Sequence, residues 1–224
     1  MKQEFFPTHH VFIDYQSSDK TIDLINTYKE RNTNIKIMLI NQKSCGIYQA
    51  WNQGILKLFE MIDLDHYIII LNSDDWLVDD YINTIAKYKG YDLIAGSSFV
   101  YYKNKRLLRP CRNLKMLPFF MPIIDPSLCI KASVFDYIGL YREKFKVASD
   151  HDFIYRAYEM GCSFKIIKKV LVNIEMGGFA IQNKDIALLE QFILAKERNL
   201  LPFPEIAFLY RLLQFPRMRF LDFL

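Results

Sequence analysis

The sequence predicts an α/β fold in which a mostly parallel central sheet is flanked by helices and followed by a helical C-terminal tail. Apolar, strand-like runs alternate with segments of helical periodicity along the first half of the chain. The most hydrophobic run, His66–Leu71, is apolar almost throughout, as expected for a strand that is covered on both faces. A chain of 224 residues that is 51% hydrophobic and 24% charged is also typical of a folded domain.

Strands and helices are predicted in strict alternation up to Gly96. In the first helix, Ile22, Ile25 and Tyr28 recur at helical spacing after a polar turn. The predicted elements are the strand His10–Asp14, the helix Thr21–Glu30, the strand Ile35–Ile40, the helix Ile47–Met61, the strand His66–Leu71, the helix Asp79–Lys89 and the strand Tyr91–Ala95.

Beyond Gly96 the predicted elements are less regular. We expect a hairpin that turns at Lys103 and Asn104, an irregular segment over residues 110–126, and a short helix closed by Gly139. A helix over Asp150–Met160, a strand over Phe164–Val172 and a helix over Asp185–Asn199 complete the pattern. The predicted division is an α/β domain over residues 1–184 and an aromatic, basic helical tail over residues 185–224.

Composition and charge exclude several classes of protein. The formal net charge of +4 is too small to indicate a nucleic-acid partner. The four cysteines contain no close Cys-x-x-Cys pair, so buried, reduced thiols are expected in place of a zinc site or a disulfide framework. The sequence has neither a signal-peptide pattern nor an apolar stretch of membrane length, so the expected location is the cytoplasm.

Acidic side chains follow two of the predicted strands. Asp14 ends one strand, and Asp74 and Asp75 follow the hydrophobic strand. Ligands of open α/β sheets bind beyond the carboxyl ends of strands, and adjacent carboxylates suit Mg²⁺ or Mn²⁺ bound with a diphosphate. The segment Asn72–Asp75 suits the cap of a following helix equally well. Position alone leaves both interpretations open.

Two further segments also have two interpretations each. In Gly46–Gly54, Asn52 and Gly54 are poor helix residues that suit close approach of a backbone or ligand, or else a frayed first turn. In Ser149–Asp152 the aspartates complement the dipole of the helix that they open. The alternative is that Asp150 is a general base at the mouth of a pocket.

The order of these segments resembles that of the family 2 glycosyltransferases, which have the GT-A fold. The resemblance covers residues 10–180, and four motifs in this order are fairly specific although each alone is weak. The chain looks most like bacterial members that build capsule, exopolysaccharide or lipopolysaccharide sugars. The motifs are Asp14–Thr21, Gly46–Gly54, Leu71–Leu77 and Ala148–Asp152 with the following Arg156.

The resemblance implies an inverting sugar transferase that uses a nucleotide-diphospho-sugar donor and Mg²⁺ or Mn²⁺. By this resemblance Asp75 holds the metal, Asp74 contacts the ribose or the metal shell, and Asp150 is the catalytic base. Asp14 matches the acid beside the nucleobase. The remaining residues of the implied nucleotide-sugar site are Tyr48, Asn52 and Gly54 on the donor side, Arg156 as a support of the Asp150 helix, and Gly177 with Gly178 in a loop over the diphosphate.

The chain departs from the family pattern in two notable places. It begins after the strand and the Pro-x-Tyr-Asn-like turn with which the family usually opens, so the usual first strand is expected to be missing. Asp125 stands where several relatives carry a histidine, and this change is expected to alter acceptor or phosphate contacts.

The last residues of the tail suggest a partner. Residues 203–224 interleave six aromatic side chains with three arginines. This pattern suits a helix on an anionic bilayer that carries a lipid-linked acceptor. Packing on the domain or on a second subunit is the other interpretation, and Pro216, which breaks the helix, favours it.

Three classes of function therefore remain at the level of sequence. The first is a metal-dependent sugar transferase of bacterial surface polysaccharide or glycolipid synthesis. The second is a non-catalytic relative that binds a nucleotide or a protein partner, which the missing first strand favours. The third is a Mg²⁺-dependent phosphohydrolase that uses Asp74 and Asp75 and releases phosphate or free sugar without an acceptor.

Overall fold

Strands and helices alternate at the start of the chain, as predicted, whereas later in the chain strands also follow strands and one helix follows another. A computed structural model describes residues 7–42, 46–118, 120–177 and 182–198. The strands in these ranges are β1 His9–Asp14, β2 Lys36–Asn41, β3 Tyr67–Ile69, β4 Asp75–Leu77, β5 Leu93–Tyr102, β6 Lys105–Arg109, β7 Leu128–Lys131 and β8 Phe164–Glu175. The helices are α1 Thr21–Arg31, α2 Ile47–Phe59, α3 Tyr81–Ala86, α4 Ala132–Ile138, α5 Ser149–Glu159 and α6 Lys184–Glu197.

The strands form two sheets of unlike size. β1 and β2 are a parallel pair, and the other strands form a mixed sheet in the order β3-β7-β5-β8-β4, with β6 paired to β5. The α/β class is confirmed, but the expectation of a mostly parallel sheet needs correction. Only β1 with β2 and β5 with β8 are parallel among the pairs of described strands. A strand covered on both faces is apolar whichever way its neighbours run, so its composition does not reveal direction.

The segment after β3 differs from its predicted form. β3 ends at Ile69, and Asp75 opens the short strand β4, which pairs with β8. Helix α3 begins only at Tyr81, with Asp80 at its N-cap. The interpretation of Asn72–Asp75 as a helix cap is therefore wrong.

Turns at positive φ lie where the sequence predicts them. The β5–β6 hairpin turns at Lys103 and Asn104, with φ of 43° and 59°, the left-handed conformations of a tight hairpin turn. Gly139 closes α4 with φ of 81°, and its conformation would strain any residue with a Cβ. The hairpin and the end of α4 are thus confirmed.

The core lies where α2, α4 and α5 pack on the larger sheet. Its members are apolar side chains with almost no exposed surface, among them Ile55, Leu93, Phe135, Phe153 and Ile154. The cysteines at 111, 129 and 162 are free, whereas Cys45 lies outside the described residues.

Helix α6 packs beside the segment that leads into α5. Lys144 forms an ion pair of 2.7 Å with Glu197, and Glu190 accepts hydrogen bonds from the same segment. The division at residue 184 stays a prediction, and residues 203–224 and Gly178 lie outside the described residues. None of the described helices combines the length and the apolar character needed to cross a bilayer.

Candidate active site

A cleft of about 1580 Å³ is lined by β1, α2, the residues around β3 and β4, and the start of α5. Five of the predicted site residues line this cleft: Tyr48, Gly54, Asp74, Asp75 and Asp150. Residues of β1 and β3 also line it. Within the described ranges β1 pairs with β2, and β3 pairs with β7. The structure thus brings two separate acidic motifs to one cavity.

Asp150 lies in the first turn of α5 and is oriented by two hydrogen bonds. Its Oδ1 accepts from the backbone N–H of His151 at 2.7 Å and lies 3.2 Å from the hydroxyl of Tyr48. Burial raises the pKa of Asp150 above its usual range, while these hydrogen bonds and the charge of Arg109 act in the opposite direction. A carboxylate with a raised pKa and a fixed orientation is suited to accept a proton.

The three residues before α5 are held from two sides. Glu190 on α6 is buried and accepts from the backbone N–H groups of Lys146, Val147 and Ala148 at 2.7–3.0 Å. On the other side, the Tyr48 hydroxyl lies 2.6 Å from the carbonyl oxygen of Val147. Sequence reasoning missed Glu190, because nothing in its surrounding sequence distinguishes it from a solvent-exposed helical glutamate.

Arg156 supports α5 from the side away from the cleft. It donates to Asp152 at 2.8 Å and to the carbonyl oxygens of residues 138–140. Asp152 is fully buried and also pairs with Arg198 at 3.0 Å and Arg142 at 3.4 Å. Arg156 is not among the residues that line the cleft, and its contacts fit the support of the Asp150 helix that the resemblance implies. Its membership of the nucleotide-sugar site stays a prediction. The i,i+4 spacing of Asp152 and Arg156 was the sequence signal for this pair.

Asp75 has one buried oxygen without a partner. Its Oδ2 accepts from the Asn72 side chain at 3.1 Å, whereas its Oδ1 is buried and has no hydrogen-bond partner within the described chain. Burial raises the pKa of Asp75 to about 6, and the charge of exposed Asp74 adds to this rise, whereas hydrogen bonding from the Asn72 side chain and from the Glu175 backbone lowers the pKa. An orphaned carboxylate oxygen beside a second carboxylate fits a hard divalent cation.

The described side chains do not supply a complete set of ligands for a cation at Asp75. Across the described residues no group of three or more His, Cys, Asp or Glu side chains is arranged to hold a metal. A cation at Asp75 would therefore take its other ligands from substrate oxygens and water, as Mg²⁺ commonly does.

Two more predicted site residues have structural partners and are not among the residues that line the cleft. The Asn52 amide donates to the carbonyl of Tyr141 at 2.8 Å and accepts from the Tyr141 N–H at 3.0 Å. Asp14 accepts from the backbone N–H and the hydroxyl of Ser17 and so closes the turn after β1. The frayed-turn interpretation of Gly46–Gly54 is wrong, because α2 begins at Ile47 and contains both Asn52 and Gly54.

Gly54 lies on the cleft side of α2 and contacts β1. A Cβ at this position would lie 3.6 Å from Ile13, which is ordinary contact. A methyl group at position 54 would therefore fit against the Ile13 side chain without a clash.

The sequence profile of the glycosyl transferase family 2 matches residues 1–170, more than half of the chain. The chain belongs to glycosyl transferase family 2. Among curated relatives, a PGL/p-HBAD biosynthesis glycosyltransferase of Mycobacterium bovis is 26% identical over 155 residues, which are 66% of this chain and 57% of the relative. An uncharacterized glycosyltransferase of Mycoplasma genitalium is 28% identical over 47% of this chain and 35% of its own length.

Solved structures show the same fold. TarS 1-349 of S. aureus aligns with a TM-score of 0.62 and 18% identity over 97% of this chain and 66% of that one. The mannosyltransferase PcManGT of Pyrobaculum calidifontis, in complex with GDP-Man and Mn²⁺, aligns with a TM-score of 0.60 and 16% identity over 88% of this family 2 chain and 57% of its own. The GT-A fold is thereby confirmed. The chain spans little more than half the length of the mycobacterial relative that it matches.

Proposed function

We propose that this family 2 chain is a glycosyltransferase that moves a sugar from a nucleotide-diphospho-sugar to an acceptor hydroxyl, with inversion at the anomeric carbon. The observation that carries the proposal is that Asp150 and Asp75 line one cleft. One carboxylate is oriented by its neighbours, and the other presents a buried oxygen without a partner. These are the two kinds of carboxylate that a base-assisted displacement of a diphosphate requires.

In the proposed reaction Asp150 removes the proton of the acceptor hydroxyl while the oxygen of that hydroxyl bonds to the anomeric carbon of the donor sugar. The bond from that carbon to the diphosphate oxygen breaks, and its electron pair leaves with the nucleoside diphosphate. Tyr48 and the His151 N–H fix the orientation of the base, and Glu190 fixes the backbone that leads to it. Attack from the face opposite the diphosphate inverts the anomeric centre.

Asp75 would hold Mg²⁺ or Mn²⁺, with Asp74 beside it. A divalent cation there would supply Lewis-acid stabilisation of the negative charge on the departing diphosphate. Two structural neighbours support this part of the proposal, since their structures contain Mn²⁺ together with GDP-Man in PcManGT and with UDP and GalNAc in GalNAc-T7.

The biological setting is proposed from the relatives. A role in bacterial surface polysaccharide or glycolipid synthesis fits the name of the mycobacterial relative, a PGL/p-HBAD biosynthesis glycosyltransferase. We extend the proposal to a cytoplasmic enzyme whose acceptor is a sugar or a lipid-linked sugar at the inner face of the membrane. The basic, aromatic residues 203–224, outside the described part of the chain, are the proposed membrane contact.

A donor screen tests the proposal first. Melting temperature is measured with UDP-, GDP-, dTDP- and CMP-sugars, each with and without Mn²⁺ or Mg²⁺, because a ligand that binds the folded state raises it. We expect a Mn²⁺-dependent rise with one donor class, loss of that rise in Asp75→Asn, and no change in Asp136→Asn, an exposed aspartate on α4.

The same preparation separates the three classes of function. A transferase releases nucleoside diphosphate faster when an acceptor is added, and this release is lost in Asp150→Asn. A phosphohydrolase releases phosphate or free sugar at a rate that no acceptor changes. Binding without any turnover indicates the non-catalytic relative, and absence of nucleotide-sugar binding with Mn²⁺ contradicts the proposal.

A further inference from the structure

Asp125 is a buried carboxyl group that has no role in the reaction proposed above. It begins a single 3₁₀ turn, Asp125–Ser127, just before β7, and it lines the cleft. Its exposed fraction is 7%, and both of its oxygens are buried without a hydrogen-bond partner in the described chain. A buried polar group without a partner costs free energy and calls for an explanation, commonly a ligand or an unusual charge state.

Within the described chain, no positive charge is among the causes of the pKa shift of Asp125. The carboxyl of Asp150, at the start of α5, adds to the electrostatic cost of a charge on Asp125, and a charge on Asp125 would raise the pKa of the phenols of Tyr48 on α2 and Tyr141 after α4. Arg109, at the end of β6, acts on Asp150. Burial raises the pKa of Asp125 well above its usual range, and the charge of Asp150 raises it further. Asp150 accepts hydrogen bonds from the His151 N–H and the Tyr48 hydroxyl, whereas neither oxygen of Asp125 has a donor among the described residues, so the negative charge lies on Asp150 and the proton on Asp125.

A second buried group beside Asp125 also lacks a partner. The hydroxyl of Tyr141, a residue only 3% exposed, has no hydrogen-bond partner among the described residues. Burial raises the pKa of this phenol, and the charges of Asp125 and Asp150 act in the same direction. Asp125 and Tyr141 thus leave hydrogen-bonding capacity unused near the proposed base. Protein interiors rarely leave such capacity unused unless water or a ligand takes it up.

We propose that Asp125 is a neutral carboxylic acid that, with Asp150, forms a two-carboxyl site for an acceptor bearing two adjacent hydroxyl groups. The inference rests on the proposed transferase function. Asp150 takes the proton of the reacting hydroxyl, and the O–H of Asp125 donates a hydrogen bond to the oxygen of the neighbouring hydroxyl. Asp125 keeps its proton throughout, so the balance of the transfer step is unchanged. A carboxylic acid that donates at neutral pH must be kept uncharged by its surroundings, which this site provides.

Infrared difference spectroscopy of the whole protein detects the proton on the Asp125 carboxyl directly. At about pH 8, ordinary carboxyl groups are ionised, and so is a group such as Asp75 whose pKa is about 6. We expect a carbonyl-stretch band of a protonated carboxyl in the wild-type protein, in Asp150→Asn and in Asp136→Asn, and its loss in Asp125→Asn. Absence of the band from the wild-type protein overturns the proposal, and so does its persistence in Asp125→Asn.

The ligand class is tested with a matched pair of probes. Addition of trans-1,2-cyclohexanediol should shift the Asp125 band, whereas cyclohexanol, which has one hydroxyl on the same ring, should leave it unchanged. Equal responses to the two alcohols, or none to either, overturn the assignment of the site. Neither spectroscopic measurement needs turnover. Absence of transferase activity would therefore contradict the proposed function but would not change the outcome of this test.

Stability provides a readout that does not depend on the spectrum. An acid whose pKa is raised in the folded state stabilises the fold fully below its unfolded value, near pH 4, and this contribution is lost as the pH rises towards the folded value. We therefore expect Asp125→Asn to melt above the wild type by at least about 2 °C near pH 8, with a smaller difference at pH 5. A difference that does not change with pH overturns the proposal.

Discussion

Tyr48 and Asp150 are joined by a hydrogen bond of 3.2 Å, although 102 positions separate them in the sequence. The same hydroxyl lies 2.6 Å from the carbonyl oxygen of Val147. Burial raises the pKa of the Tyr48 phenol, so it remains a neutral donor at every working pH. One hydroxyl on α2 therefore lies within hydrogen-bond distance of both the proposed base and the backbone that leads to it, and the two oxygens share its single proton.

Replacement of this phenol tests its role. Tyr48→Phe removes a hydrogen bond that lowers the pKa of Asp150, so the already raised pKa should rise further. The acid limb of the kcat profile should move to higher pH, and kcat at neutral pH should fall about tenfold, the usual cost of a hydrogen bond to a charged group. Tyr137→Phe, at an exposed tyrosine of α4, is the control. An unchanged profile in Tyr48→Phe contradicts the role.

Glu190 should matter to both stability and catalysis. Glu190→Gln replaces an oxygen that accepts an N–H by an amide that cannot, and the loss should be about 2–3 kcal/mol in the free energy of unfolding. Since the segment leads to Asp150, kcat should fall more than donor affinity. The measurements are urea denaturation and steady-state kinetics.

Glu197→Gln, on the same helix, is the matched control for Glu190. Its partner is Lys144 in an exposed ion pair, and such pairs contribute about 0–1 kcal/mol. Equal losses of stability in the two variants would contradict the claim that the hydrogen bonds of Glu190 to residues 146–148 stabilise the fold.

Asn52 should prove structural. Asn52→Ala leaves the buried N–H and C=O of Tyr141 without their partners, so the free energy of unfolding should fall by about 2–3 kcal/mol. Donor affinity, measured at a temperature where the variant is folded, should change little. Gln53→Ala, one position along the same helix, is the control. A loss of donor affinity without a loss of stability would restore the sequence-based assignment of Asn52 to the donor site.

Metal binding should depend on pH through Asp75. Burial raises its pKa to about 6, and a cation needs the ionised carboxylate, so affinity for Mn²⁺ should fall about tenfold for each pH unit below that value. Without metal, the raised pKa stabilises the fold below about pH 4 and loses this effect as the pH rises through 6. Calorimetric Mn²⁺ titrations at pH 5 and pH 7.5, with the nucleotide present, measure the effect. Equal affinities at both values argue against Asp75 as a ligand.

The order of short motifs predicts more of the site than any single motif does. For Asp75 a helix-cap interpretation was equally good locally, and for Asp150 position alone favoured the helix-end interpretation. Their shared cleft, with Tyr48 and Gly54, follows from the family pattern because the fold brings these segments together. The Lys103–Asn104 hairpin was predictable as well, since its turn depends on local conformation alone.

Contacts between distant segments were not predictable from the chain. Glu190 reaches residues 146–148, and Asn52 pairs with Tyr141 across 89 positions, only because of where α6 and α2 pack. Strand β7 was not predicted, and its antiparallel direction beside β3 could not have been predicted for another reason. A buried strand has the same apolar composition in parallel and antiparallel surroundings, so hydrophobicity carries no information on direction.

The most direct test of the central claim compares Asp150→Asn with the wild-type protein in one assay. Release of nucleoside diphosphate in the presence of acceptor gives the rate, and calorimetry with Mn²⁺ gives the dissociation constant of the donor. Because Asp150 is proposed to act on the acceptor proton alone, the rate should fall at least about a hundredfold while the donor dissociation constant stays within about twofold. A variant that keeps the wild-type rate, or that loses rate and donor binding together, contradicts the assignment of Asp150 as the base.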